Sequence, residues 1–335
     1  MSIDFAKKIN KWIFFYFWEI FKIKAHKKGE IKLIYTITLN PALDYILKHQ
    51  TFKTGEINRS EQEIMLPGGK GINVSIILKA LEIDSTVLGY KAGFIGEEIE
   101  KEVQEYGIQT DFIKIEKGTT RINIKIMTET EETAINTQGP SIEPEKLYEL
   151  YQKIEIIQTG DIAILSGSIP QGLPDDTYEN ICKKLEGKDI KIVVDSTGEL
   201  LTKTLKYKPF LIKPNKEELG EIFNTKIETT NQILQYCQKL QQEGAKNVLV
   251  SLGKEGAILL DETGKIHQKE NIKTIKRINT VGAGDSMVAG FIAGYTQFQN
   301  YEKALQMGMA AGTATANSLY LATKNEIYEI FNQIK

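Results

Sequence analysis

With 335 residues, 41% of them hydrophobic, the chain is long enough to bury a full core without covalent staples. A formal net charge of -2 removes the electrostatic case for nucleic acid as the main partner. Cys182 and Cys237 fit neither a metal-binding spacing nor a disulfide framework, and the scattered His26, His49 and His267 argue against a histidine metal site. The two cysteines read as buried apolar thiols of a reducing cytoplasm.

Residues 1–30 differ from the rest. Lys7 and Lys8 precede an aromatic run from Trp12 to Trp18, and Lys22, Lys24, Lys27 and Lys28 follow it. The apolar stretch is too short to span a bilayer, and it lacks the small residues of a cleavable leader. It reads as an interfacial helix, a helix docked on a partner or on the body, or an appendage without function. The appendage is the preferred reading, because the main pattern begins cleanly at Ile31.

From there the elements follow in order. Lys32 to Leu39 is β-rich and stops at the turn signal Asn40-Pro41. The polar, alternating stretch to Met65 predicts short strands outside the core. Pro67-Gly68-Gly69 breaks the chain, and Ile72 to Leu81 carries apolar residues at helical spacing. Ser85–Lys91 predicts a strand, and Gly96–Tyr106 a helix. Asp161–Leu165 and Ile190–Val194 are compact strands separated by a helix beginning near Asp175. Phe210–Ile212 and Val248–Val250 are two more, with helices after Asn215 and Asn231. Strands alternating with helices predict an α/β fold whose mostly parallel sheet is covered on both faces. Thr120–Ile126 instead alternates strictly, the pattern of a strand with one wet face. With residues 45–65, the segment 118–138 would form a small β-sheet lid on one domain, 31–335.

Two segments carry chemistry. Asn279-Thr280-Val281-Gly282-Ala283-Gly284-Asp285 leads into an apolar helix. Small residues at a helix start let backbone N–H groups approach an anion, and an acid there can take a proton. Such an acid can equally be a simple cap. No Gly-Lys-Ser/Thr follows, so this is not a Walker A loop. Upstream, Pro67-Gly68-Gly69-Lys70-Gly71-Ile72-Asn73 places three glycines and a lysine before a helix, with Lys70 and Asn73 spaced to face one ligand. A plain loop with a solvated lysine fits it as well.

Together these segments resemble the ribokinase-like carbohydrate kinases. Five further pieces agree in order: Thr38–Asp44, Thr120–Asn123, Ser166–Pro170, Lys213–Leu219 and Ser251–Ala257. Within that family the pattern is most similar to the bacterial 1-phosphofructokinases, with tagatose-6-phosphate kinase a near relative. The resemblance implies a three-layer α/β sandwich and transfer of a phosphoryl group from ATP to fructose 1-phosphate. Tagatose 6-phosphate and fructose 6-phosphate are the rival substrates. A catalytically silent sugar-phosphate sensor is the alternative of another class, and an intact Asp285 argues against it.

By resemblance, Asp285 is the base, and Gly282, Ala283 and Gly284 form the anion hole. Asp44, Gly68, Gly69, Asn73 and Ser168 line the sugar pocket, and Lys70 and Arg121 hold the phosphate already on the sugar. Arg59, on the lid, reaches the same phosphate or a neighbouring subunit, or is merely solvated. Lys213, Asn215, Ser251, Gly253, Gly256 and Gly284 face ATP. Asn215 and Glu218 organise Mg2+, a role compatible with a capping box at the same helix start. An exposed lid edge makes a homodimer through the lid the oligomeric expectation. Two departures stand out. Ala134 replaces the family's usual acid in Glu132–Pro140, where Thr137 also replaces a glycine. Tyr320 stands where a glycine is typical, near the expected adenine pocket.

Overall fold

The structure is a computed structural model that describes residues 33–272 and 281–334. The expectations for residues 1–30 and for Asn279 and Thr280 lie outside the described residues. Apolar runs hydrophobic on both faces form the interior of the main sheet. Every residue of β1 (Ile34–Thr38) and of β8 (Ile162–Ser166) is buried. The other members are β4 (Thr86–Ala92), β5 (Gln109–Ile115), β9 (Lys191–Asp195), β10 (Leu211–Ile212), β11 (Asn247–Ser251), β12 (Ala257–Leu260) and β13 (Ile266–Lys269). The nine strands lie in the order β13-β12-β11-β10-β9-β8-β1-β4-β5. Neighbours from β5 to β11 pair parallel, and β12 and β13 close one edge as an antiparallel hairpin.

The strand order contains a reversal. After β1 the chain builds outward through β4 and β5, then returns to add β8 on the other side of β1. Connections leave the carboxyl ends of β1 and β8 in opposite directions and open a crevice there, the usual ligand position in such sheets. Helices α1 (Lys70–Ala80), α2 (Gly93–Glu105), α3 (Pro144–Glu155), α4 (Thr177–Leu185), α5 (Gly198–Thr202), α6 (Lys216–Ile222) and α7 (Thr230–Gln242) follow in alternation. Three more, α8 (Ala283–Phe298), α9 (Tyr301–Asn317) and α10 (Lys324–Gln333), end the chain. Val288, Phe291 and Ile292 of α8 pack with Ala304, Met307 and Ala311 of α9 in a core cluster that reaches Leu249 and Leu259 of the sheet. Against expectation, α2 begins at Gly93 rather than Gly96, because a left-handed turn at Gly93 (φ 59°) starts it directly after β4.

A second, four-stranded sheet runs β3-β2-β6-β7. Its strands are β2 (Ala42–Lys48), β3 (Gln62–Gly68), β6 (Arg121–Met127) and β7 (Glu132–Ile135). β2 leaves directly from the crevice end of β1. Leu43 packs with Ile72, Ile76, Val87 and Ile95, which ties this sheet to α1 and α2. β2 and β6 pair parallel with Asp44 opposite Asn123, and β6 and β7 pair antiparallel with Lys125 opposite Ala134. No described helix is long and apolar enough to cross a membrane.

Candidate active site

Four elements converge on the crevice. α8 begins at Gly282, whose φ of 76° lies in the left-handed region; a Cβ there would also stand 2.7 Å from Leu321 Cδ2. Among the described residues no side chain caps this helix, and the positive end of its dipole lies at this turn. Asp285 sits in that first turn, 6% exposed, and accepts a hydrogen bond from Asn73 Nδ2 of α1 at 2.8 Å. Burial pushes Asp285 up to about 6, and the charge of Asp195 adds to the rise, against the pull of Lys70, Asn73 and Lys213.

Asp195, at the carboxyl end of β9, is the second buried carboxylate. Lys213 Nζ lies 3.3 Å from its Oδ1, and Lys70 Nζ 3.7 Å from the same atom. Burial works to raise Asp195, but the two ammonium groups overcome it and hold the carboxyl below its ordinary range. Lys70 is in turn held up mainly by the charge of Asp195, with smaller help from Asp285 and Glu218. Asp195 Oδ2 is buried without a hydrogen-bond partner among the described residues, as is the hydroxyl of Ser196 beside it.

The turn at the head of α8 stands between two cavities. One, of about 330 Å³, is lined by Asp44, Asn73, Lys125, Val281, Tyr320 and Leu321, among others. The other, of about 200 Å³, is lined by Ser251, Gly253, Asn271, Ala283, Gly284 and Thr313, among others. Val281 thus faces one cavity, and Ala283 and Gly284 the other. Asp285, buried in that turn, lines neither cavity itself.

The expected sugar residues are only partly brought together. Asp44 and Asn73 line the larger cavity, and a Cβ on Gly68 would stand 2.8 Å from the Asp44 carboxyl carbon, so any larger residue there must displace that acid. Gly69 caps α1. Lys70 turns to Asp195. Arg121 spends its guanidinium on backbone carbonyls, Nε donating to Asn40 O at 3.1 Å and Nη1 to Thr137 O at 3.5 Å. Ser168 is exposed after β8, Arg59 is exposed on the chain joining β2 to β3, and neither lines these cavities.

On the other side, Ser251, Gly253 and Gly284 line the smaller cavity, and Lys213 Nζ would lie 3.4 Å from a Cβ on Gly284. Gly256 does not line it. Its φ of 112° and the 2.1 Å that would separate its Cβ from Lys269 O tie that glycine to closure of the β12–β13 hairpin. Tyr320 also differs from expectation. It lines the larger cavity with Asp44 and Lys125, because the chain after α9 folds back over Gly282.

Asn215 and Glu218 form a reciprocal capping box at α6: Glu218 N donates to Asn215 Oδ1 at 2.8 Å, and Asn215 N to Glu218 Oε2 at 2.8 Å. Among the described residues no three acids, histidines or cysteines cluster as an all-protein metal cage. Mg2+ on nucleotide phosphates needs only one or two carboxylates and keeps its waters, so Glu218 and the unpartnered Asp195 Oδ2 fit that lighter role.

Sequence reasoning missed Asp195 and Lys125. An acid at the carboxyl end of an apolar strand was the available sign for Asp195. For Lys125 the sign was the two-residue period that puts Arg121, Asn123 and Lys125 on one face of β6.

Comparison with known proteins shows the family. Residues 37–327 match the model of the pfkB family of carbohydrate kinases. A 1-phosphofructokinase of Bacillus subtilis is 42% identical over 303 residues, 90% of this chain and 99% of the relative. A D-tagatose-1-phosphate kinase of Bacillus licheniformis is 36% identical over 90% of this chain and 99% of its own. The crystal structure of phosphofructokinase-2 from Escherichia coli in complex with fructose-6-phosphate superposes with a TM-score of 0.85 at 27% identity, covering 91% of this chain and 99% of that one. With its two-sheet α/β fold, the chain belongs to the pfkB family and is a carbohydrate kinase.

Proposed function

We propose that the protein transfers the γ-phosphoryl group of ATP to fructose 1-phosphate, giving fructose 1,6-bisphosphate and ADP. One observation carries the reading: the turn at the head of α8 borders both cavities, through Val281 on one and Ala283 and Gly284 on the other, and buries in its first turn an acid pushed up to about 6. In this reading Asp285 takes the proton of the attacking sugar hydroxyl, and Asn73 fixes its orientation. The N–H groups of Gly282, Ala283 and Gly284 steady the migrating phosphoryl group. Lys213 and Lys70 add positive charge beside it. Mg2+, held through Glu218, Asn215 and Asp195, would neutralise nucleotide phosphate charge. Asp44, Gly68 and Gly69 receive the sugar, with Arg121, Ser168 and Arg59 nearer its phosphate after lid movement. Ser251 and Gly253 take the nucleotide.

The 1-phosphate is favoured because the Bacillus subtilis relative is a 1-phosphofructokinase and matches over 90% of this chain. Initial rates with ATP should therefore rank fructose 1-phosphate first in kcat/KM against tagatose 1-phosphate, tagatose 6-phosphate and fructose 6-phosphate. A higher value for any of the other three overturns the substrate. The exposed Ile57, Met65 and Ile135 on the small sheet and its connection suit a homodimer through the lid. Light scattering should give twice the chain mass, and a monomer at micromolar concentration overturns it.

A further inference from the structure

Lys125 is a cation in an unusual position. It lies on β6 of the small sheet, its side chain 9% exposed, with Nζ 2.7 Å from Asp44 Oδ2. Asn123, two residues earlier on the same face, donates to the other oxygen of Asp44 at 3.0 Å. Asp44 and Lys125 line the larger cavity, whose wall is otherwise largely apolar (Ile46, Leu66, Ile76, Leu321); Asn123 hydrogen-bonds to Asp44 but does not line it. Two features leave this group of three incomplete. Asn123 Oδ1 is buried with no partner among the described residues. An ammonium group carries three N–H donors, and Asp44 accepts one of those on Lys125. Of these, the open donors of Lys125 lie in the cavity wall, where they are positioned for a polar ligand.

The other cations compete poorly for that ligand. Lys79 and Lys324, also on this cavity, are paired as Lys125 is, but their side chains are 37% and 42% exposed to water against 9% for Lys125. Arg121 is bound to backbone carbonyls, and Lys70 faces Asp195. The register supplies the last observation. Directly opposite Lys125 on β7 stands Ala134. Side chains so paired are within about 5 Å at Cβ, close enough for a glutamate at 134 to draw the ammonium across the strand. Alanine leaves Asp44 and the cavity as its destination.

We propose that Lys125 is the specificity-determining cation through which the small sheet reads the phosphate already on the sugar, and that Ala134 keeps it facing the cavity. This deepens the proposed function and rests on it. The test compares KM and kcat for fructose 1-phosphate in the wild type, Lys125→Met, Lys125→Arg, Ala134→Glu and Ala134→Gln, and repeats Lys125→Met in an Asp44→Asn background. Loss of a charge-assisted contact should raise KM about 10- to 100-fold in Lys125→Met, with the smaller part of the loss in kcat. Lys125→Arg should recover most of it. Ala134→Glu should raise KM by about 3- to 10-fold, with Ala134→Gln within about twofold of wild type. In the Asp44→Asn background the Lys125→Met effect should persist. If it vanishes there, Lys125 serves only to hold Asp44 and the proposal is overturned. Equal KM values for Ala134→Glu and Ala134→Gln overturn the part assigned to position 134. Wild-type turnover tests the reaction itself: should another sugar phosphate be preferred, the substrate is corrected and the same variants are measured with that ester. A Lys125→Met enzyme with wild-type KM overturns the lysine alone.

Discussion

Asp195 and Asp285 are both buried carboxylates at the mouth of the same crevice, yet their surroundings drive them apart. Asp195 has two ammonium groups within 3.3 and 3.7 Å and stays ionised. Asp285 has a neutral amide as its direct partner and is pushed up to about 6 by burial, with the Asp195 charge adding to the push. Two acids of one type thereby acquire two tasks: one anchors positive charge, the other can exchange a proton near neutrality. Burial alone does not decide the behaviour of a carboxylate. The nearest cation does.

Substitutions sharpen this contrast. The largest effect belongs to Asp285→Asn, which keeps the shape and removes the proton acceptor; kcat should fall by about 10²- to 10⁴-fold in a coupled assay of ADP release. A loss under tenfold breaks the contrast by showing that Asp285 is no base. Next is Asp195→Leu. It leaves Lys213, whose side chain is 6% exposed, without its counter-charge, and the loss should be about 3–5 kcal/mol in urea denaturation. Asp195→Leu as stable as wild type would mean the pair contributes nothing. Gly68→Ala presses a methyl group onto the Asp44 carboxyl and should raise the sugar-phosphate KM about tenfold with little change in the KM for ATP.

The smallest effect is on stability and has the opposite sign. The folded-state value of Asp285 is raised above its ordinary 3.8, so above about pH 6 the ionised form costs the folded state free energy. That cost shrinks as pH falls through 6 and is gone below about 4. Asp285→Asn should therefore melt a few degrees higher than wild type at pH 7.5, with the two melting temperatures converging by about pH 4. A variant that melts lower at pH 7.5 contradicts the raised value.

Much of this was legible from residues alone. The runs Asp161–Leu165 and Ile190–Val194 could be read as buried parallel strands because both faces of the sheet are covered and the apolar pattern is continuous. The alternation at Thr120–Ile126 announced a strand, but its polar face is not wet: Asn123 and Lys125 are buried against Asp44. The glycines before Asp285 announced a helix start. The pairing of Asp195 with Lys70 and Lys213 was not legible, since three distant segments meet only when β9, α1 and β10 close the crevice. Tyr320 was misplaced for the same reason: the path of the chain after α9 is fixed by tertiary packing on Gly282. Gly256 was assigned to the nucleotide when a neighbouring carbonyl of its own hairpin already accounts for it.

The pH dependence of kcat/KM for the sugar phosphate, measured from pH 4.5 to 8 in the wild type and in Asp195→Asn, tests Asp285 as the base most directly. The wild type should lose activity tenfold per unit below about pH 6, and removing the Asp195 charge should move that limb to lower pH. The phosphate ester itself titrates in this region, at about 6, but its limb would stay in place. An acid limb identical in both enzymes would contradict the account.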